Sequence, residues 1–287
     1  MKKLILLFLF TLSAAAQIKG VVKDSITKEP IAYAALVYES TVIGTNANLN
    51  GEFELTKHES NIKIIVSCLG YKSKTLQLTN INEIYLSPKE EIIEEVVITN
   101  RKNSSEIIIG NYKNSKMGFA NGGASQIWAK FIKSTDEIKK HSFIKTIQFT
   151  TNSRVKNAKL KLRFFYTDNE GKPNDDVIFD EIIITVRKGT NINTISLEQY
   201  NIQIPEKGIF IGFENLIIEE NKYEYTFTQE GKKGKFKGIC YEPVIKGYEA
   251  NEYNIWNIKN DKSFLFNHKF KKDSKPIELG IKLTLTN

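Results

Sequence analysis

The sequence predicts an all-β protein built from two β-sandwiches in series. Three observations predict it. Apolar residues recur at every second position over short runs. These runs are separated by clusters of Gly, Pro, Asn and charged residues that read as turns. No stretch of useful length carries a helical period. The composition, 41% hydrophobic and 26% charged, is that of a foldable globular chain.

Residues 1–16 read as a secretory leader. Lys2 and Lys3 supply its basic start, and Leu4 to Leu12 an apolar core too short to span a bilayer. Ala14, Ala15 and Ala16 provide the small residues for cleavage. The mature chain is therefore expected to begin at Gln17 and to be exported, to the periplasm or to the outer membrane or cell surface. No cysteine follows the apolar core to take a lipid, and no later stretch is apolar enough for a transmembrane helix.

Residues 17–99 form the first predicted unit. Ile18 to Lys23 is a strand, and Pro30 with the polar cluster before it marks a turn. Ala32 to Tyr38 is the second strand. Asn46 to Gly51 is a turn in which Asn50 and Gly51 can supply positive φ. Gly44 is read the same way. Phe53 and Leu55 then alternate with Glu52 and Glu54. Ile62, Ile64, Val66 and Cys68 share one strand face, Gly70 lets Tyr71 fold over the end of the sandwich, and Thr75 to Leu78 and Ile84 to Leu86 follow.

Residues 100–123 read as linker and loop, after a charged connector at 87–95 and a short strand at Val96 to Thr99. Residues 124–287 form the second unit. Ala124 to Lys133 is read as strand, in keeping with its neighbours. Leu160, Leu162, Phe164 and Tyr166 alternate with Lys159, Lys161, Arg163 and Phe165, the pattern of a strand with one face in the core and one in water. Asp168 to Asp176 is a turn-forming loop. Glu181 to Arg187, Thr194 to Ile204, the strongly apolar Gly208 to Ile218, Tyr223 to Thr228, Lys235 to Tyr241, Ser263 to Phe270 and Glu278 to Leu285 complete the set.

The run from Gly20 through Val21, Val22, Lys23 and Asp24 to Glu29, Pro30, Ile31, Ala32, Tyr33 and Ala34 is followed by three further elements. They are Gly44-Thr45 with Asn50-Gly51-Glu52-Phe53, then Val66 to Tyr71, and finally Glu95-Val96-Val97-Ile98-Thr99. This series resembles the carboxypeptidase-regulatory-like domain. The resemblance implies a small transthyretin-like β-sandwich that is a non-catalytic accessory. The same module opens many TonB-dependent outer-membrane receptors of the Bacteroidetes, but the rest of this chain is too short for a plug and barrel, so receptor function does not carry over. Val96 to Thr99 is open to two readings, a pairing edge strand or a TonB-contacting segment. The second half resembles a jelly-roll or galactose-binding-like sandwich over Ile144 to Ile218, which implies a fold and no activity.

The formal charge is +8, falling to 8 − 2 = +6 without Lys2 and Lys3. Lys and Glu are scattered through the strands, which reads as a solvated surface, and export removes nucleic acid as a partner. Cys68 and Cys240 read as buried free thiols. His58, His141 and His268 lack zinc-site spacing, and there is no Gly-x-Ser-x-Gly elbow or phosphate-cradling glycine loop. The acidic residues Asp168, Glu170, Asp175 and Asp176 do not follow an EF-hand spacing. No cofactor, metal ion or catalytic residue is expected. Trp128, Trp256, Tyr248, Tyr253 and Phe264 read either as sandwich core or as a sugar-stacking platform. The first place to seek a ligand is the polar and aromatic stretch 248–256, with Tyr248, Tyr253 and Trp256 as candidate binding residues.

The function expected from these readings is that of a non-catalytic envelope protein, a binding or docking module for a glycan or a protein partner. Two alternatives stay open: a secreted hydrolase with an unrecognised site in the second unit, and a structural protein that self-assembles through exposed sheet edges.

Overall fold

The computed structural model describes residues 17–56, 63–77, 83–89, 101, 103–112, 117–124, 126–178, 180–259, 262–266 and 275–287. The expected leader, the Val96 to Thr99 segment, His58 and His268 lie outside the described residues.

Among the described residues, seven strands make the N-terminal part: β1 (Gln17–Asp24), β2 (Ala35–Tyr38), β3 (Gly44–Asn46), β4 (Glu52–Thr56), β5 (Lys63–Ser67), β6 (Lys74–Gln77) and β7 (Glu83–Leu86). The C-terminal part begins with β8 (Glu106–Asn111), β9 (Met117–Asn121), β10 (Ile127–Ile132), a short helix α1 (Asp136–Lys140), β11 (Phe143–Ser153) and β12 (Ala158–Thr167). It continues through β13 (Pro173–Asp176), β14 (Ile182–Val186), β15 (Gly189–Ser196), β16 (Ile209–Asn215), β17 (Lys222–Phe227) and β18 (Phe236–Glu249). The last strands are β19 (Ile255–Lys259), β20 (Lys262–Leu265), β21 (Ile277–Leu279) and β22 (Ile281–Thr286).

Among the described residues these strands form four sheets. A three-stranded sheet, β4-β1-β7, faces a four-stranded sheet, β3-β2-β5-β6. Val22, Phe53 and Leu55 from one and Leu36, Ile64 and Val66 from the other close a single core between them. A seven-stranded sheet, β13-β12-β16-β10-β19-β20 with β14 on β12, stacks on an eight-stranded sheet centred on β18, β11 and β22. Leu160, Leu162, Phe164, Ile211 and Phe213 meet Ile147, Phe149 and Leu283 in this second core. The chain is thus all-β in two sandwiches, as its alternation predicts.

Two expectations need correction. Within the expected linker at 100–123, Glu106–Asn111 and Met117–Asn121 are strands, β8 pairing with β22 and β9 with β18. Ile107 and Ile109 reach the second core from β8; the Gly and Asn residues around them hide a short alternation. Gly44 also has a different role from the one assigned to it. Gly51 does adopt a positive φ of 72°, but Gly44 serves close approach: a Cβ there would lie 2.3 Å from the Leu36 carbonyl oxygen.

Other readings hold. Residues 127–132 are strand, and Ile209–Asn215 is an interior strand between β12 and β10, buried at every position. Tyr71 closes the first sandwich by donating to Asp24 Oδ2 at 3.0 Å. Cys68 and Cys240 are both free thiols. The helix α1 was not expected. It is a single short turn element, started by Thr135, whose hydroxyl accepts the Ile138 N–H.

The two sandwiches meet through a polar staple and an apolar patch. Asn46 donates its backbone N–H to the Ile217 carbonyl at 3.0 Å, and its Oδ1 accepts the Ile217 N–H at 2.8 Å. Its Nδ2 donates to the Tyr33 carbonyl. Tyr33 packs with Leu216 and Ile218 beside this staple. These contacts explain why all four residues of β2 are buried: Leu36 and Tyr38 point into the first core, and Ala35 and Val37 face the other sandwich.

Candidate functional site: a polar cleft between the sandwiches

Side chains alternate across a strand, so β12 has two faces of different chemistry. Leu160, Leu162 and Phe164 enter the second core. Lys161, Arg163 and Phe165 point the other way, toward the N-terminal sandwich. A cavity of about 340 Å³ lies there, walled by β2, β5 and the Cys68–Tyr71 bend on one side and by β12, β13 and β16 on the other.

Lys161, Asp176 and Glu214 in this cleft are buried, Arg163 is half-buried, and all four are paired. Lys161 is 2% exposed and its Nζ lies 2.5 Å from Glu181 Oε1. Arg163 grips Asp176 with two N–H groups, the Nε bond being 2.9 Å, and donates through Nη1 to Glu214 at 3.3 Å. Glu214 on β16 stands directly across the ladder from Lys161. Two guanidinium bonds in one plane fix the Asp176 carboxylate as a rigid fork would. Cys68 Sγ lies 3.4 Å from Glu181 Oε1, which joins the first sandwich to this network.

Electrostatics follow from burial and pairing. Burial opposes the Lys161 ammonium, but the negative groups around it, Glu214 and Glu181 among them, outweigh that cost and hold it above the ordinary lysine value. Arg163 is likewise held charged by Asp176 and Glu214 against its burial. Asp176 is pushed above the usual carboxylate value by burial, with Arg163 pulling it back. Burial drives the Cys68 thiol up to about 12. A thiol of that kind stays protonated at neutral pH and is a poor nucleophile. Asp176 and Glu214 are engaged by Arg163 and Glu181 by Lys161. The cleft offers fixed hydrogen-bonding groups and ring surface from Phe165 and Tyr71.

The structure separates the residues singled out in 248–256. Tyr248 lies near the end of β18 and turns into the second sandwich, where Lys130 Nζ approaches its hydroxyl at 3.3 Å. Burial raises its pKa, and the hydrogen bond to Glu278 adds to that. Lys130 itself is 3.1 Å from Glu278 Oε2; burial lowers its pKa and Glu278 offsets part of the effect. Trp256 sits on the opposite face of the seven-stranded sheet, edge-on to Phe210 at 5.6 Å. That face continues through Ile258 and Phe165 to the cleft wall. Tyr253 is half-buried in the short connection between β18 and β19. Only Trp256 of the three thus shares a surface with the cleft.

Lys161 and Arg163 read in the sequence as the water-facing side of their strand and Asp176 as part of a loop, because alternate charges on a strand normally mean a solvated face; the structure instead gathers them with Glu214 in the cleft. A usable signal was present: the same strand partner, Gly208 to Ile218, is too apolar to have an open outer side.

Comparison with known proteins finds a family match for the N-terminal part of the chain. The model of the CarboxypepD_reg-like domain matches residues 18–98. Over 81 residues, 28% of this chain, the sequence is 36% identical to the TonB-dependent receptor SusC of Bacteroides thetaiotaomicron, of which the match covers 8%. Among solved structures, the cysteine protease and lectin-like domains of Cwp84, a surface layer associated protein of Clostridium difficile, align over 88% of this chain and 57% of that one. The TM-score there is 0.41, at 14% identity. A carbohydrate-binding module of the β-sandwich superfamily aligns over 80% of this chain and 96% of that one, with a TM-score of 0.24 and 10% identity. The family match places the CarboxypepD_reg-like domain at residues 18–98, the stretch whose motifs carry the resemblance.

Proposed function

We propose that this chain is a non-catalytic binding protein of the bacterial envelope, with the cleft between its two sandwiches as the recognition site and an uncharged part of a glycan as the ligand. The observation that carries the reading is the state of the cleft: Lys161 is engaged by Glu181 and Arg163 by Asp176 and Glu214, so the cleft presents rigid donors and acceptors held in fixed positions. Such a site suits hydroxyl-rich ligands, which need many oriented hydrogen bonds and a ring to lie on. The basic start, apolar core and small residues of positions 1–16, the pattern expected of a secretory leader, support export. The match of residues 18–98 to part of a TonB-dependent receptor supports an envelope setting.

A glycan array probed with the purified protein tests this. Binding should be lost in Ser67→Trp, which fills the cleft from β5, and weakened in Trp256→Ala on the adjoining sheet face. Binding to no glycan, or binding untouched by Ser67→Trp, overturns the assignment; retention of a protein partner in place of a glycan redirects it to docking.

A further inference from the structure

The hairpin of β17 and β18 carries a second surface, remote from the cleft. Tyr223, Tyr225 and Phe227 alternate onto one flank of β17, and Phe236 joins them from β18. Their rings form a continuous ladder. Tyr223 and Tyr225 are parallel within 10° at 6.5 Å, Tyr225 and Phe227 are 5.9 Å apart, and Phe227 and Phe236 are 5.8 Å apart. Tyr225 is 37% and Phe227 42% exposed. Aromatic rings in an unbroken exposed row are costly unless something covers them.

Gly238, the cross-strand partner of Tyr225, explains the posture of the ladder. A Cβ on Gly238 would lie 2.6 Å from Tyr225 Cζ and 2.9 Å from its hydroxyl oxygen. The tyrosine ring therefore lies down over the glycine, covering it with one face and turning the other outward. Arg154 fixes the inner end, 4.1 Å over the Tyr223 ring, with its own charge satisfied by Glu242 at 2.6 Å.

The outer end is cationic. Lys232, Lys233, Lys235 and Lys237 crowd the turn and the start of β18, all exposed, with Glu230 the one acidic residue beside them. None of the four lysines is in an ion pair with a described residue, and Lys232 Nζ lies 5.8 Å over the Phe236 ring. Glu224 is on the reverse face of the hairpin, where Lys222 holds it at 3.4 Å. The turn itself, Gln229-Glu230-Gly231-Lys232-Lys233-Gly234, has no apolar side chain. It lacks the wedge that would enter a lipid bilayer, so the occupant must lie along the flank.

We propose that this flank binds an anionic polysaccharide laid along β17, its sugar rings on the exposed Tyr225 and Phe227 and its acidic groups met by Lys232 and Lys233. Flat rings with open faces match the apolar faces of sugars, and unpaired ammonium groups match carboxylate or sulfate substituents. This site does not depend on the cleft.

Affinity electrophoresis of the full chain in gels holding polygalacturonate, dextran sulfate or plain dextran tests the proposal. An anionic polymer, of either kind, should retard the protein while dextran does not, and added salt should weaken the effect. Tyr225→Ala and Phe227→Ala should each raise Kd by about tenfold or more. The double variant Lys232→Glu/Lys233→Glu, which changes only exposed turn residues, should abolish retardation, and Ser67→Trp should leave it intact. Four results would overturn the proposal: no retardation by either anionic polymer, equal retardation by dextran, full retardation of Tyr225→Ala, or binding to phosphatidylglycerol vesicles in place of polysaccharide.

Discussion

The seven-stranded sheet is covered on both faces, and the two coverings have little in common chemically. On its inner face Leu160, Leu162, Phe164, Ile211 and Phe213 meet the other sheet of the same sandwich. On its outer face Lys161 and Glu214 are buried and Arg163 half-buried, from the same two strands, beneath a different sandwich. The inner face is held by apolar burial, which is proportional to area and indifferent to direction. The outer face carries ion pairs within its own sheet and meets the first sandwich through directional contacts, Asn46 with Ile217 and Cys68 with Glu181, beside the small apolar patch of Tyr33, Leu216 and Ile218. The first makes a fold and the second fixes how two folds sit on each other.

The largest way to break this comparison is to attack the inner face. Phe213 is fully buried and packs against Phe149 at 4.7 Å. Phe213→Ala should cost about 3–5 kcal/mol. Urea unfolding followed by tryptophan fluorescence and circular dichroism measures it. A loss below about 1 kcal/mol would mean that the two sheets are not packed as described here.

The outer face should answer to pH as well as to substitution. Arg163→Met leaves Asp176 and Glu214 buried beside a neutral side chain, and should cost about 3 kcal/mol at neutral pH. The penalty comes from charge and not from lost volume. Without the guanidinium that pulls it down, the folded-state pKa of Asp176 moves further above the unfolded value, so the protonated form is favoured in the fold. The deficit should shrink as pH falls from about 7 to about 5. Phe213→Ala should show no such recovery. An Arg163→Met deficit that stays constant across this range would place the cost in packing.

What could be read from the sequence divides along the same line. Apolar alternation marks inner faces, so Leu160, Leu162 and Phe164 announce their strand, and Gly208 to Ile218 announces an interior one. Burial by a second sandwich leaves no period of its own. Lys161 and Arg163 look like ordinary surface residues until β2 and β5 are laid over them. Asn46 looks like one more asparagine in a turn until Ile217, far along the chain, supplies both halves of its staple. Tyr248 and Trp256 are close in sequence, yet a strand end and a change of sheet place them on opposite faces. The polar, directional contacts that build the cleft are long-range, and local pattern does not encode them.

The two sandwiches also treat a buried aspartate in opposite ways, which yields the finest test. Asp24 accepts the N–H groups of Ile26 at 2.6 Å and Thr27 at 3.1 Å, and the hydroxyl of Tyr71. These donors, led by the Ile26 amide, hold its carboxyl below the usual value. A lowered folded-state pKa stabilises the fold wherever the pH exceeds the unfolded value, and that contribution is lost as pH falls through the folded value. Asp176, raised by burial, has the reverse dependence: its protonated form suits the fold, and its contribution is lost as pH rises through its folded value. Acid should therefore loosen the first sandwich before the second. Asp24→Asn keeps a hydrogen-bonding side chain but cannot titrate. It should be slightly less stable than the parent at neutral pH and should lose less on acidification to about pH 3. Hydrogen exchange at the Ile26 and Thr27 amides against pH reads this locally. Parallel acid profiles in parent and variant would show that the Asp24 turn does not set the acid limit of the first sandwich.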